Sequence, residues 1–152
     1  MIKKVIVMEI REAKKEDLKQ LLKLYTQLHN NDMPEFNDRL EGIWIKILSD
    51  ESHHIVIGLL DNEIVSSCVI VIIPNLTRSQ RPYALVENVI THEAHRNKGY
   101  ATRILNFARE IAKQKNCYKI MLLTGSKQEN TLNLYRRAGY NSNDKTAFIQ
   151  WL

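Results

Sequence analysis

The sequence predicts an α/β fold in which a mixed central β-sheet carries helices on both faces, and three observations predict it. Apolar residues recur at helical spacing over 15–28 and 38–48, and two β-rich runs, 54–60 and 63–73, flank the dipeptide Asp61-Asn62. A strand-like run over 83–91 then leads through a short polar loop into a long amphipathic helix. Strands joined by tight turns lie antiparallel and strands joined through helices lie parallel, so a chain using both connections builds a mixed sheet.

Taken in order, 5–11 is a short β-rich run and reads as the first strand. From Lys15 the pattern changes: Leu18, Leu21, Leu22, Tyr25 and Leu28 share one helical face, and His29-Asn30-Asn31-Asp32-Met33-Pro34 ends it. A second helix over 38–48 turns Leu40, Ile43, Trp44 and Ile47 inward. The two β-rich runs around Asp61-Asn62 form a hairpin. The polar segment 74–82, with Arg78 and Arg81, is either a mobile loop beside a substrate or a solvated connection. After the 83–91 strand, Ala101, Ile104, Leu105, Ala108, Ile111 and Ala112 form an apolar stripe, with Arg103, Arg109, Glu110 and Lys113 facing water. Asn116-Cys117 ends that helix, 118–123 is a short strand, and Thr124-Gly125-Ser126-Lys127 is a turn. A helix over 128–138 closes on Gly139, and 146–152 reads as a last strand. The order is β-α-α-β-β-β-α-β-α-β.

A length of 152 residues fits a single domain spanning 1–152. With 44% apolar and 26% charged residues the composition is that of a soluble protein, and no run reaches the roughly 18 apolar residues of a membrane span. The apolar part of Met1–Met8 is too short for the core of a signal peptide. Cys68 and Cys117 lack metal-ligand spacing, so a reducing cytoplasm is the expected compartment. The net charge of +5 favours anionic ligands. Nucleic acid is not an expected partner, because the basic residues are dispersed among acids and no reader motif is present.

The most specific stretch is Arg96-Asn97-Lys98-Gly99-Tyr100-Ala101, which opens a helix after a strand. The first amides of a helix lack internal partners and carry partial positive charge, so they hold phosphate well. Gly99 admits a close backbone approach, Ala101 is nearly as small, and Arg96, Lys98 and Arg103 add charge. The glycine spacings of dinucleotide and nucleoside-triphosphate loops are absent. Arg96-x-x-Gly99-x-Ala101 instead resembles the acetyl-CoA pyrophosphate loop of the GCN5-related N-acetyltransferases (GNAT), whose signature is Arg/Gln-x-x-Gly-x-Gly/Ala. Thr131 to Tyr140 is similar to that family's Ala-x-x-Leu/Phe-Tyr-x-x-x-Gly-Phe segment, with Thr131 in place of Ala and Tyr140 in place of Phe. The order of elements matches the family along nearly the whole chain.

The resemblance implies acetyl-CoA as co-substrate, with no metal, and an acyl transfer to an amine. It implies pyrophosphate contacts from Arg96, Asn97, Lys98, Gly99, Tyr100, Ala101 and Thr102, and backbone contacts to pantetheine and oxyanion from Val89, Ile90 and Thr91. Tyr135 takes the position of the family's tyrosine acid; a phenol of pKa about 10 can protonate a thiolate whose conjugate acid lies near 8.5. Glu87 is the candidate base. Strand alternation puts residues 85, 87, 89 and 91 on one face, so its carboxylate is expected among apolar neighbours, either taking the ammonium proton or pairing with a cation.

His92-Glu93-Ala94-His95 misses the zinc spacing His-Glu-x-x-His by one residue and reads as a solvated loop. Glu87-Asn88-Val89-Ile90 and Cys117-Tyr118-Lys119-Ile120 resemble segments of the glucosamine-6-phosphate N-acetyltransferase branch, with Arg78 and Arg81 available to an anionic group. A small-molecule amine is the expected acceptor, a homodimer through the terminal strands the expected assembly. The alternatives are a non-catalytic CoA-binding regulatory module and an acetyltransferase for protein N-termini or lysines.

Overall fold

Five strands form one sheet in sequence order, and the computed structural model describes residues 7–152 of the chain. The strands are β1 (Glu9–Glu12), β2 (His53–Leu60), β3 (Glu63–Ile73), β4 (Tyr83–Thr91) and β5 (Ile120–Leu122). The helices are α1 (Leu18–Tyr25), α2 (Asp38–Ser49), α3 (Tyr100–Gln114) and α4 (Glu129–Arg137). β1 to β4 pair antiparallel and β4 pairs β5 parallel, giving the mixed sheet expected. The hairpin between β2 and β3 turns on Asp61 and Asn62, both at positive φ, the geometry that matches strand twist in a two-residue loop.

Each face of the sheet has its own core. On one side Ile104, Leu105, Ala108, Ile111 and Ala112 of α3 pack on Val56, Cys68, Ile70, Ala84 and Val86. Gly58 lies under this helix, where an added Cβ would stand 2.7 Å from the Met8 sulfur and 3.1 Å from Ile104 Cδ1, so the close approach needs glycine. On the other side Leu21 and Leu24 of α1 and Trp44 of α2 cover Ile55, Ile57, Val69 and Ile90. Asn37 caps α2 by accepting from the Leu40 amide at 3.0 Å, and Trp44 Nε1 donates to the Lys15 carbonyl at 3.1 Å. Ile43, expected on the inner face of α2, is half exposed, because the helix touches the sheet mainly through Trp44.

Two further expectations are corrected, and the two readings of the 74–82 segment are narrowed to a surface connection. In the first strand, Val5 and Ile6 lie outside the described residues, Val7 and Met8 precede the strand, and pairing begins at Glu9. The predicted strand over 146–152 does not form: its residues pair with no other strand, and Phe148 and Trp151 are 90% and 85% exposed. β-propensity is satisfied only against a neighbour, and this segment finds none among the described residues. The 74–82 segment is fastened, since Arg81 donates to the carbonyls of Asn116 and Cys117 at 3.2 and 3.0 Å and Arg78 stacks over Tyr118.

The entry into α1 rests on a buried ion pair. Asp17 is 5% exposed and receives both guanidinium nitrogens of Arg11, at 2.6 and 3.0 Å, together with the Lys14 amide at 2.7 Å. Burial pushes the Asp17 carboxyl up, but Arg11 and the Lys14 amide outweigh it and hold it below the ordinary range. Its contribution to stability is therefore complete above the unfolded-state pKa of about 3.9 and is lost as pH falls through the lower folded-state value. Asp17→Asn should cost about 3 kcal/mol in urea unfolding at neutral pH, because the partly buried Arg11 loses its bidentate partner and keeps only the longer ion pair to Glu9 at 3.6 Å, and the loss should shrink as the wild type is acidified.

Candidate active site

Parallel pairing between β4 and β5 covers only Ala84–Val86 against Ile120–Leu122. Beyond it β5 ends, while β4 continues from Glu87 to Thr91 with no strand on that side among the described residues. A cleft of about 630 Å3 occupies the gap. Val89, Ile90 and Thr91 of β4 form its floor, the turn into α3 and the first residues of α3 one wall, and α4 the other.

A β-bulge shapes this floor. Val69 pairs with Glu87 and Ser67 with Ile90, so Asn88 and Val89 together face the single residue Cys68, with Asn88 at φ +50°. The extra residue reverses the side-chain alternation. Val89 joins the α3 side of the sheet and Ile90 the α1 side, so Glu87 does not share a face with Val89 and Thr91 as simple alternation predicted. Glu87 is exposed rather than set among apolar neighbours; burial chiefly pushes the Tyr135 phenol up, and Glu87 adds the smallest contribution to that push. No ion pair engages it among the described residues, so the structural pairing weighed for it is not made.

The turn into α3 is held from several directions. Arg96 Nε donates to the Thr91 carbonyl at 3.2 Å, the His92 amide to the Val65 carbonyl at 2.8 Å, and the Glu93 amide to Gln27 Oε1 at 2.9 Å. Ser66, fully buried, donates to the Ile90 carbonyl at 3.1 Å and meets the Thr91 hydroxyl at 2.8 Å. Gly99 caps α3 in the left-handed conformation, φ +77°, with nothing within 4 Å of where a Cβ would stand. The amides of Tyr100, Ala101 and Thr102 follow it as the unsatisfied first amides of a 15-residue helix.

On the opposite wall Tyr135 is half-buried, edge-on to Tyr140 with centroids 6.3 Å apart. Burial raises its pKa, so the phenol stays neutral, a proton donor, through neutral pH. Gly139 at φ +93° closes α4, with the Tyr140 amide donating to the Tyr135 carbonyl at 3.0 Å.

Ten of the twelve residues singled out from sequence line the cleft: Val89, Ile90, Thr91, Arg96, Asn97, Gly99, Tyr100, Ala101, Thr102 and Tyr135. Glu87 stands outside the lining, and so does Lys98, whose Nζ donates to the Ala94 carbonyl at 3.2 Å. Arg103 is likewise committed elsewhere, to the Met8 carbonyl at 3.0 Å. Arg78 and Arg81 are absent from the lining because their loop is fastened at the start of β4, not its end. Sequence reasoning missed Gln27 and Leu28 at the end of α1, and Gln128 and Asn130 at the start of α4. Nothing local marks Gln27; its role appears only when the end of α1 meets the loop at 92–95.

The acetyltransferase (GNAT) family model matches residues 10–140. The chain belongs to the GNAT family and is an acetyl-CoA-dependent N-acetyltransferase. A glucosamine 6-phosphate N-acetyltransferase of Trypanosoma brucei brucei is 24% identical over 147 residues, covering 93% of this chain and 94% of that protein. A solved structure of a candidate acetyltransferase from Agrobacterium tumefaciens is 34% identical, with a TM-score of 0.87 over 94% of this chain and 99% of its own. The glucosamine-6-phosphate N-acetyltransferase of Arabidopsis thaliana has the same fold, at 19% identity and a TM-score of 0.82, covering 95% of this chain and 98% of that one.

Replacing Gly99 by alanine should cost about 1 kcal/mol of stability, since the left-handed conformation carries the whole penalty and no neighbour is crowded. The same variant should bind CoA about tenfold more weakly by calorimetry, because relaxing the cap re-aims the amides that follow it.

Proposed function

We propose that this enzyme acetylates the primary amine of a small polar molecule in the cleft between β4 and β5, with amino-sugar phosphates the first class to test. The observation that carries the reading is Tyr135, a half-buried phenol on the wall facing the free end of β4. The cleft volume of about 630 Å3 suits a cofactor-sized ligand. Acetyl-CoA supplies an activated thioester there. The first amides of α3, with Arg96 and Asn97, hold its pyrophosphate, and the unpaired edge of β4 pairs with its amide-bearing arm. Backbone N–H groups at Val89 and Ile90 receive the negative charge that develops on the carbonyl oxygen. Tyr135 donates its proton to the departing sulfur, and Glu87 takes the ammonium proton directly or through a water.

The curated relative in Trypanosoma supports an amino-sugar phosphate as acceptor. The positions of Arg78 and Arg81 give no support to them as its phosphate contacts, and the polar groups of Gln27 and Asn130 at the cleft are the better candidates. Both cysteines are free, Cys68 fully buried with its thiol pushed up to about 12, in keeping with a cytoplasmic protein. No helix among the described residues is long and apolar enough to cross a membrane.

Assembly as a homodimer is part of the proposal. Phe148, Ile149 and Trp151 leave large apolar surfaces in water, while β5, a three-residue edge strand, offers an outer edge that is unpaired among the described residues. The 146–152 segment of a second copy would cover that edge, and symmetry would make the exchange reciprocal.

Thiol release from acetyl-CoA across amino sugars and their phosphates, polyamines, amino acids and peptide N-termini tests the catalytic reading. One amine class should stand out; Tyr135→Phe should lower kcat about 100-fold with CoA still bound, and Glu87→Gln should lose rate at neutral pH and regain it where the amine is already deprotonated. Full activity in both variants would return the cleft to a binding role. The wild type should sediment as a dimer at micromolar concentration, and a Phe148→Ser/Trp151→Ser variant as a monomer.

A further inference from the structure

We infer that His95 belongs to the polyphosphate site and takes up a proton when the anion binds, so that cofactor affinity in this enzyme is coupled to pH. The inference rests on the reading of the cleft as the acetyl-CoA site and adds a residue and a proton to it.

His95 lies in the single 3-10 turn Glu93–His95 that joins β4 to the turn into α3, and its side chain lines the cleft. Its Nδ1 is shut off from solvent and has no hydrogen-bond partner among the described residues, while the neighbouring Glu93 and Ala94 amides and Arg96 Nε are all engaged. The ring is set between His92, centroids 5.7 Å apart, and Tyr100, the first residue of α3, at 6.4 Å. A buried ring nitrogen without a partner costs free energy in the neutral ring, while the exposed part of the ring faces the cleft and feels the charge placed there.

The charges around the ring are mostly positive. Lys98 and His92 come from its own turn, with Arg96 adjacent, while Glu63 at the start of β3 is the acidic neighbour. From α1 the facing group is Gln27, already engaged with the Glu93 amide, and across the cleft α4 presents Asn130 and Arg137. Burial, then Lys98 and His92, push the imidazole below its ordinary value, so it is neutral in the free protein at neutral pH.

A pyrophosphate on the α3 amides reverses this field. Its negative charges enter the same turn, offset Lys98 and Arg96, and favour imidazolium, which has N–H donors at both ring nitrogens where the neutral ring has one. The proton comes from solvent, and no covalent bond changes. The bound-state pKa then lies above the free-state value. Affinity is greatest below the free-state pKa, falls as pH rises towards the bound-state pKa, and is constant above it.

The test is a histidine NMR titration of the enzyme with and without saturating CoA, the His95 signal assigned by its loss in His95→Gln. CoA should raise the His95 pKa by about one unit, which corresponds to about a tenfold tightening across the window. Calorimetry in two buffers of different ionisation enthalpy should show proton uptake on CoA binding that is smaller in His95→Gln. Titration of the CoA phosphates is common to both proteins and cancels in the difference. An unchanged His95 pKa with CoA bound, or the same pH dependence of affinity in both proteins, overturns the inference and leaves the cofactor site standing. Failure of CoA to bind at any pH overturns both.

Discussion

A half-strand that, among the described residues, is paired on one edge only is the constraint on which the site depends. β5 stops at Leu122, so β4 presents the backbone of 87–91 to a cleft instead of to a fifth strand's continuation. Backbone amides and carbonyls at an open edge are available for pairing, and the proposed function uses this edge for a ligand that has amides of its own. The bulge at Asn88 belongs to the same constraint. It frees one residue from pairing with β3 and rotates the strand, so that Val89 and Thr91 face the α3 side while Ile90 plugs the α1 side. Without it the strand would present the other set of side chains, and the end of β4 would not meet the turn into α3 at the same angle.

Much of the fold was legible because long periodic segments leave little choice. The bounds of β3 and β4 agree with the sequence reading, and so does the apolar stripe of α3 from Ile104 to Ala112. That Gly99 opens α3 was legible because glycine after a strand and before a long apolar stripe marks a helix start, and that Tyr135 stands at the same cleft was legible because its segment matches a family pattern. What alternation could not show was the bulge, since nothing in Glu87-Asn88-Val89 announces an extra residue except an asparagine that tolerates positive φ. The hydrogen bonds of Gln27 and Ser66 were equally hidden, each joining segments far apart in sequence. The 146–152 segment failed for the opposite reason: its pattern is that of a strand, but a strand exists only with something to pair against.

The two walls of the cleft are built to different standards. The wall containing α3 is anchored by five buried residues, and the turn before it is tied to β3, to the end of β4 and to α1. Within α4 itself no residue is buried; its Arg136–Glu129 bridge is internal to the helix, and the wall meets the core through Tyr135, Tyr140 and the buried Ala138 just past its end. A helix with this little burial has a low local opening free energy. The division follows from what each wall must do. The α3 wall presents fixed amides and gains from rigidity, because dipoles already aimed need no reorganisation when charge arrives. Under the proposed function the α4 wall carries the phenol that meets the sulfur when both substrates fill the gap. A ligand packed against Leu134 and Tyr135 supplies the burial that this helix lacks, so on that reading filling the cleft and ordering the Tyr135 phenol are the same event.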